Sequence, residues 1–280
     1  MFAATISCPS CTPKAATDDI KNLSGIHAGL PEGHALPNGF LVYFGTGKYF
    51  ESGDASPTGQ TTQSFYGIWD KNATSFTAFG RDKLVEQVIL KEVSETFDGF
   101  SYDLRVATKK TVNWTSKLGW YMDLVNKGVT PLDNKGEKQV TESILRNGRI
   151  VFTTLVPSVD PCDFGGTGWL MELDAATGGQ LDEPLFDLDQ DGKFNQDDYV
   201  QQTITADFDG DGTVEKRVVP PSGKRCKEGI CARPGVVAGT GKDDDKEYKF
   251  SSGSTGNIER TVENAGAGYA ERISWRELKQ

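Results

Sequence analysis

Four of the five aspartates and the one asparagine between Phe186 and Tyr199, in the run FDLDQDGKFNQDDY, have the types and the spacing of a twelve-residue calcium loop. Asp187, Asp189 and Asp191 take positions 1, 3 and 5, and Gly192 takes position 6, where the chain must turn sharply. Lys193 at position 7 offers its backbone carbonyl, Asn195 at position 9 offers its amide directly or through a water, and Asp198 closes the loop at position 12. Four carboxylates around one point repel one another by roughly 4 kcal/mol per close pair at an effective dielectric near 20, so a hard cation is expected among them. Asp at position 12 is one methylene shorter than the usual Glu, and bidentate closure then depends on the backbone moving inward. The expected affinity is modest, about 10⁻⁴ to 10⁻³ M or somewhat tighter. The competing reading is an acidic, solvated Asp-Gly turn.

A second run, TITADFDGDGTVE from Thr203, repeats the spacing with Asp207, Asp209 and Asp211 and with Gly212 at position 6. Its position 12 is Val218, which cannot ligate, so a weaker site would draw on Thr213 and on Glu215 at position 9. Without a metal the same run reads as an Asp-Gly hairpin turn between strands.

Other chemistry finds less support. The two histidines of the chain, His27 and His34, fall in a segment broken by Pro13, Pro31 and Pro37, so a Ser-His-Asp or Cys-His apparatus is not expected. Cys8 and Cys11 have C-x-x-C spacing, but no second pair accompanies them. Gly45-Thr46-Gly47-Lys48 lacks the spacing of a phosphate loop and reads as a turn. Cys226 and Cys231 can close a local disulfide, with Cys162 as the other candidate partner.

The elements that must position these loops read as short strands. FLVYFG from Phe40, QSFYGIWD from Gln63, Leu118 to Leu124, Arg149 to Val156 and Trp169 to Asp174 are compact β-type runs bounded by Gly or Pro. Leu84, Val85, Val88 and Ile89 fit one face of a helix or a strand, and the β-branched neighbours favour the strand. Asp174 and Gly178 frame a D-x-x-T-G turn, the aspartate bonding the turn's backbone and the glycine supplying a positive φ. Residues 1–37 read as a loosely packed lead-in, residues 239–268 as a mobile polar loop carrying Asp243-Asp244-Asp245, and Arg272 to Leu278 as a closing strand.

Composition agrees with an all-β protein: 32 glycines accompany a hydrophobic fraction of 36%, enough for a core. Asp plus Glu outnumber Lys plus Arg by 40 to 30, and the net charge of −10 favours cations over nucleic acid or an anionic membrane. No apolar run reaches the length of a membrane-spanning helix. The first residues, MFAATISCPSC, lack a basic region and a long apolar core and do not read as a secretory signal. Low-affinity calcium loops work outside the cytosol, so the sequence is expected to be the C-terminal part of a longer exported protein.

Taken in order, VYFGTGKYF at 42–50, QSFYGIWD at 63–70, GWYMDL at 119–124, VFTTLVPSVDPC at 151–162, GGTGWLMELDAATGG at 165–179, FDLDQDGKFNQDD at 186–198 and ISWREL at 273–278 give the chain a family resemblance. It resembles the C-terminal β-propeller region of PilY1/PilC-type type IV pilus biogenesis proteins. The resemblance implies the C-terminal part of a quinoprotein-like β-propeller over residues 38–280, with the calcium loop 187–198 inserted. It further implies a cell-surface or pilus location, pilins and minor pilins as partners, a host or surface ligand, and calcium control of pilus extension and retraction in twitching and attachment. A missing N-terminal part of the propeller would be one more partner. Departures are Gly136-Glu137-Lys138 where Gly-Glu-Arg is usual, and the lack of an Arg-Gly-Asp tripeptide. Two other functions fit the residues: a surface module with calcium only as a staple, and a quinone-dependent propeller dehydrogenase, which would need an adjacent cysteine pair that this sequence lacks.

Overall fold

The computed structural model describes residues 39–71 and 77–266. The lead-in 1–37, the two histidines, Cys8, Cys11 and the strand expected over 272–278 lie outside the described residues.

Nine strands form one sheet in the order β1, β2, β5, β3, β4, β13, β10, β7, β6. They are β1 (Phe40–Gly45), β2 (Ser64–Asp70), β3 (Val85–Phe97), β4 (Phe100–Ala107), β5 (Gly119–Asn126), β6 (Ile144–Arg146), β7 (Arg149–Thr153), β10 (Trp169–Asp174) and β13 (Gly223–Arg225). Only β3 and β5 run parallel; the other neighbours are antiparallel. The ambiguous segment is thus, from Val85 onward, the start of the longest strand.

Both faces of the sheet are covered along β7, which is buried at every residue and has the apolar centre Ile150-Val151-Phe152. Successive side chains go to opposite layers. Ile150 and Phe152 join a cluster with Phe65, Trp120, Met122, Trp169 and Met171. Val151 and Leu170 join one with Val93, Leu104, Phe186, Leu188, Val200 and Phe208. In the first cluster Phe65 stacks on Phe152 at 3.9 Å between centroids, and Trp120 Nε1 donates to Ala175 O at 3.1 Å. The D-x-x-T-G turn forms as expected: Thr177 N donates to Asp174 Oδ1 at 2.7 Å, and Gly178 sits at φ +69° with its α-carbon against the Trp120 ring. The second cluster lies on the loop side of the sheet and carries the acidic loops.

Smaller pieces complete the chain. Strands β8 (Val156–Pro157) and β9 (Gly166–Thr167) pair with each other, as do β11 (Ile204–Ala206) and β12 (Glu215–Arg217). Cys226 and Cys231 form a disulfide, with Cα atoms 6.0 Å apart, and Cys162 is free and exposed.

One expectation is corrected. Much of 239–268, read from its polarity as a mobile loop, is strand: β15 (Lys246–Ser252) and β16 (Ile258–Asn264), which with the preceding β14 (Gly235–Ala238) make a three-stranded antiparallel sheet. The inner face of this sheet is not apolar, so hydrophobic alternation does not reveal it. Glu247, Lys249, Ser251, Thr261 and Glu263 are all buried on it. The Lys249 side chain, fully enclosed, holds its ammonium among Glu172 of β10, Glu247 and Glu263, with the Glu247 contact at 2.8 Å. Arg149 reaches Glu247 at 2.9 Å from β7. Opposite charges drawn from two sheets replace apolar contacts at this seam.

Candidate metal centre

The loop 187–198 leaves the body of the protein from a pairing with β16. Phe186 bridges to Glu263, Asp187 N donates to Val262 O at 3.2 Å, and Asn264 N donates to Leu185 O at 2.8 Å. Phe186 and Leu188 are buried and anchor the loop on either side of Asp187. At its far end the chain returns through a single 3₁₀ turn, Gln196–Asp198, capped by Asn195, whose side chain accepts from Asp197 N at 2.7 Å. Val200 is buried beyond it, and Glu95 of β3 accepts from the backbone N–H groups of Gln201 and Gln202 at 2.7 and 3.0 Å. Both stems are therefore fixed by packing and by main-chain bonds. Between them Gln190 and Gly192 take left-handed φ values of +62° and +78°, which give the sharp turn expected at Gly192.

Carboxylate oxygens of Asp187, Asp189 and Asp198 lie within 4.8 Å of one another. Asp198 is 0% exposed and accepts from Leu188 N at 2.6 Å and Asn195 N at 3.2 Å. Burial pushes its carboxyl up to about 6; the two N–H donors oppose the shift, and the charges of Asp189 and Asp187 add to it. Asp187 is raised as well, by burial first and then by Asp189 and Asp191. An all-oxygen donor set, partly buried and carrying mutual repulsion, fits a hard cation such as calcium or magnesium.

The six residues expected to ligate do not all converge. Asp191 turns to Lys193, accepting from its backbone N at 2.7 Å and its ammonium at 2.8 Å, and these bonds hold the Asp191 carboxyl below its usual range. Asn195 is engaged as the helix cap. The Asn195 and Asp198 side chains each accept from the other end of the turn, so the residues at loop positions 9 and 12 also form a capping box.

The second acidic run is the turn of the β11–β12 hairpin, the arrangement in which it needs no metal to form. It nonetheless brings Asp207, Asp209 and Asp211 within 4.8 Å of one another. Asp207 accepts from Gly210 N at 2.7 Å and Gly212 N at 3.1 Å, Asp211 accepts from Thr213 N at 2.6 Å, and buried Phe208 anchors the turn. Glu215 stands at the mouth of the hairpin with one oxygen on Arg217 and Oε2 without a hydrogen-bond partner.

A third carboxylate group, Glu172, Glu247 and Glu263, escapes sequence reasoning because its members are scattered over three strands. Its centre is filled by the Lys249 ammonium, whose own charge burial opposes and the three glutamates uphold, raising its pKa. Burial and the Glu172 charge push Glu263 well above the ordinary carboxyl range, whereas Lys249 and Arg149 outweigh burial at Glu172 and hold it low. The tethered cation makes this cluster a structural seam between the sheets.

Residues 17–100 match the sequence profile of the PilY1 beta-propeller domain family. The type IV pilus biogenesis factor PilY1 of Pseudomonas aeruginosa PAO1 is 34% identical over 170 residues, 57% of this chain and 14% of that protein. A PilY1 homolog of Xylella fastidiosa is 39% identical over 142 residues, 50% of this chain and 9% of that protein. The crystal structure of the P. aeruginosa PilY1 C-terminal domain superposes with a TM-score of 0.63 and 27% identity, covering 82% of this chain and 42% of that one. The chain is a relative of the PilY1 proteins. Its all-β fold is that of the PilY1 C-terminal β-propeller region, and it spans a small part of the length of the curated relatives it matches. Among the described residues of this PilY1 relative, no helix is long and apolar enough to cross a membrane.

Proposed function

We propose that this chain is a non-catalytic, calcium-binding module of a type IV pilus biogenesis and adhesion factor, in which calcium on loop 187–198 governs pilus extension and retraction. The observation that carries the reading is the convergence of Asp187, Asp189 and buried Asp198 on one point, within a chain whose relatives are named type IV pilus biogenesis factors. Asp187, Asp189 and Asp198 would hold the ion, with Asp191, the Lys193 carbonyl and Asn195 as the further donors that the loop spacing supplies. Bound calcium supplies positive charge that removes the repulsion among the carboxylates. The loop stems join β16 on one side and β3 on the other, so ordering the loop stiffens a surface resting on both sheets. Pilins and minor pilins are the partners this function requires, at the cell surface or on the pilus, together with a host or surface ligand.

The test is genetic and mechanical. Asp187→Ala in the full-length protein should abolish calcium-dependent twitching while the protein remains at wild-type abundance. Degradation of the variant with no separate motility defect would reduce calcium to a structural staple. The hairpin 207–215 is a second, weaker candidate for the same ion.

A further inference from the structure

A cavity of about 200 Å³ opens between loop 187–198 and the outer edge of β16. Its charges do not cancel. Lys224 pairs with Glu259 at 2.5 Å, and Glu259 also accepts from Lys227 N at 2.8 Å, so this lysine and this glutamate neutralise each other. Two cations remain. The Lys227 ammonium lies 4.2 Å above the Tyr102 ring and has no carboxylate partner, and the exposed Arg260 guanidinium has neither an ion pair nor a hydrogen bond among the described residues. With Asp187 also on its wall the cavity keeps a net positive charge of one, a local reversal in a chain whose net charge is −10.

The backbone beside them is also half used. β16 is an edge strand of its sheet, and only its last turn of register, at Val262 and Asn264, is covered by residues 185–187. Main-chain groups alternate sides along a strand, so the N–H and C=O of Arg260 face the same open edge as those of Val262 and Asn264. The chain that pairs there departs at Leu188 to enter the acidic loop, and among the described residues no strand pairs with the edge alongside Arg260. Ile258, 69% exposed, stands two residues from Arg260 on the same face of the sheet.

We propose that this cavity docks an extended acidic peptide segment, which adds to the edge of β16 at Arg260, places a carboxylate between Lys227 and Arg260, and sets an apolar side chain on Ile258. Main-chain bonds to the edge supply affinity, and the cation pair with the neighbouring isoleucine supplies the preference for an acidic residue two positions from an apolar one. Asp187 lines the same cavity. A cation on Asp187 would compensate the one unpaired negative charge facing the peptide, so calcium should tighten docking. That gating rests on the calcium reading above; the docking itself does not.

The probe is the blocked peptide acetyl-Val-Thr-Glu-Thr-Val-amide, whose symmetry satisfies either strand direction, followed by fluorescence anisotropy or NMR shifts on the whole chain. Its controls are the Val-Thr-Lys-Thr-Val peptide, a version N-methylated at the glutamate, and free acetate. The acidic peptide should bind, the two control peptides should bind at least tenfold more weakly, and Lys227→Gln with Arg260→Gln should cost at least tenfold. Both side chains are exposed, so this double variant keeps its core, and calorimetric calcium binding should be unchanged in it. Binding that is equal for acidic and lysine peptides, insensitive to the double variant, or competed by acetate as well as by the unlabelled peptide would overturn the proposal. Calcium should tighten the acidic peptide about fivefold or more, and Asp187→Asn should remove that gain. Calcium binding without peptide binding would sink the docking and spare the calcium site; peptide binding indifferent to calcium would sink the gating alone.

Discussion

Replacing Lys249 by Met tests the charged seam between the two sheets. The lysine is 1% exposed and its ammonium meets Glu172, Glu247 and Glu263, all of them fully buried. At an effective dielectric near 20, an ion pair at the 2.8 Å of the Glu247 contact is worth about 6 kcal/mol before desolvation is counted. Burial of both partners offsets most of that, yet removing the lysine leaves three buried glutamates with only Arg149 and Arg146 beside them, which costs about 3–5 kcal/mol. Lys249→Met should therefore lower the thermal midpoint by roughly 10 °C. The sign of the pH dependence gives a second reading. Glutamates freed of their cation have raised pKa values in the folded state, so the variant regains stability as pH falls and they take up protons. In the wild type, Glu172 is held low, and the stability it contributes is present above its ordinary value and lost as pH falls through the lowered one. The deficit of the variant should shrink between about pH 7 and pH 5 in urea or thermal melts, and adding Glu263→Gln should restore part of it. A deficit under about 1 kcal/mol, or one that is constant with pH, would refute the reasoning.

Three further outcomes follow from the same geometry. In chelator, the raised Asp198 carboxyl makes the folded state take up a proton between about pH 6 and the ordinary value of 3.8, so stability gains as pH falls through that window, by at most about 3 kcal/mol. The gain, read as the difference from Asp198→Asn in pH-dependent melts, should vanish in the variant. Gly178→Ala should cost at least about 2 kcal/mol in a denaturant titration, because φ is +69° and the new Cβ would sit 2.2 Å from the Trp120 ring. Reducing the Cys226–Cys231 bridge should cost about 2 kcal/mol, the chain-entropy value for a loop closed over a separation of 5, as measured by melts with and without reductant.

The acidic loop was legible because its demands are local: a glycine at the positive φ, oxygens at fixed offsets, and apolar anchors on either side. At two positions the same local residues also serve the loop's own fold. Asp191 faces a lysine two residues away, and Asn195 with Asp198 meets the pattern of a helix cap as well as that of a ligand pair. Strands β2, β5, β7 and β10 were legible because burial from both sides writes them as apolar runs. Two hairpins carried a signal that the reading passed over: Asp98-Gly99 joins β3 to β4 and Asn147-Gly148 joins β6 to β7, each pair with both φ values positive. The sheet β14–β16 was not legible, since its buried face is Glu, Lys, Ser and Thr and its compensation comes from Glu172 and Arg149 far back along the chain. No local pattern records that a charge will find its partner in another sheet.

The most direct test of the calcium account is isothermal calorimetry of the purified chain with calcium, beside Asp187→Asn with Asp189→Asn and beside Asp207→Asn with Asp209→Asn. The account predicts a site of millimolar or tighter affinity that survives the second pair of substitutions and disappears with the first. At a hundredfold excess over its dissociation constant, calcium should stabilise the wild type by about 2.7 kcal/mol. Calcium binding that persists undiminished without Asp187 and Asp189, or a cooperatively folded wild type that takes up no calcium, would contradict it.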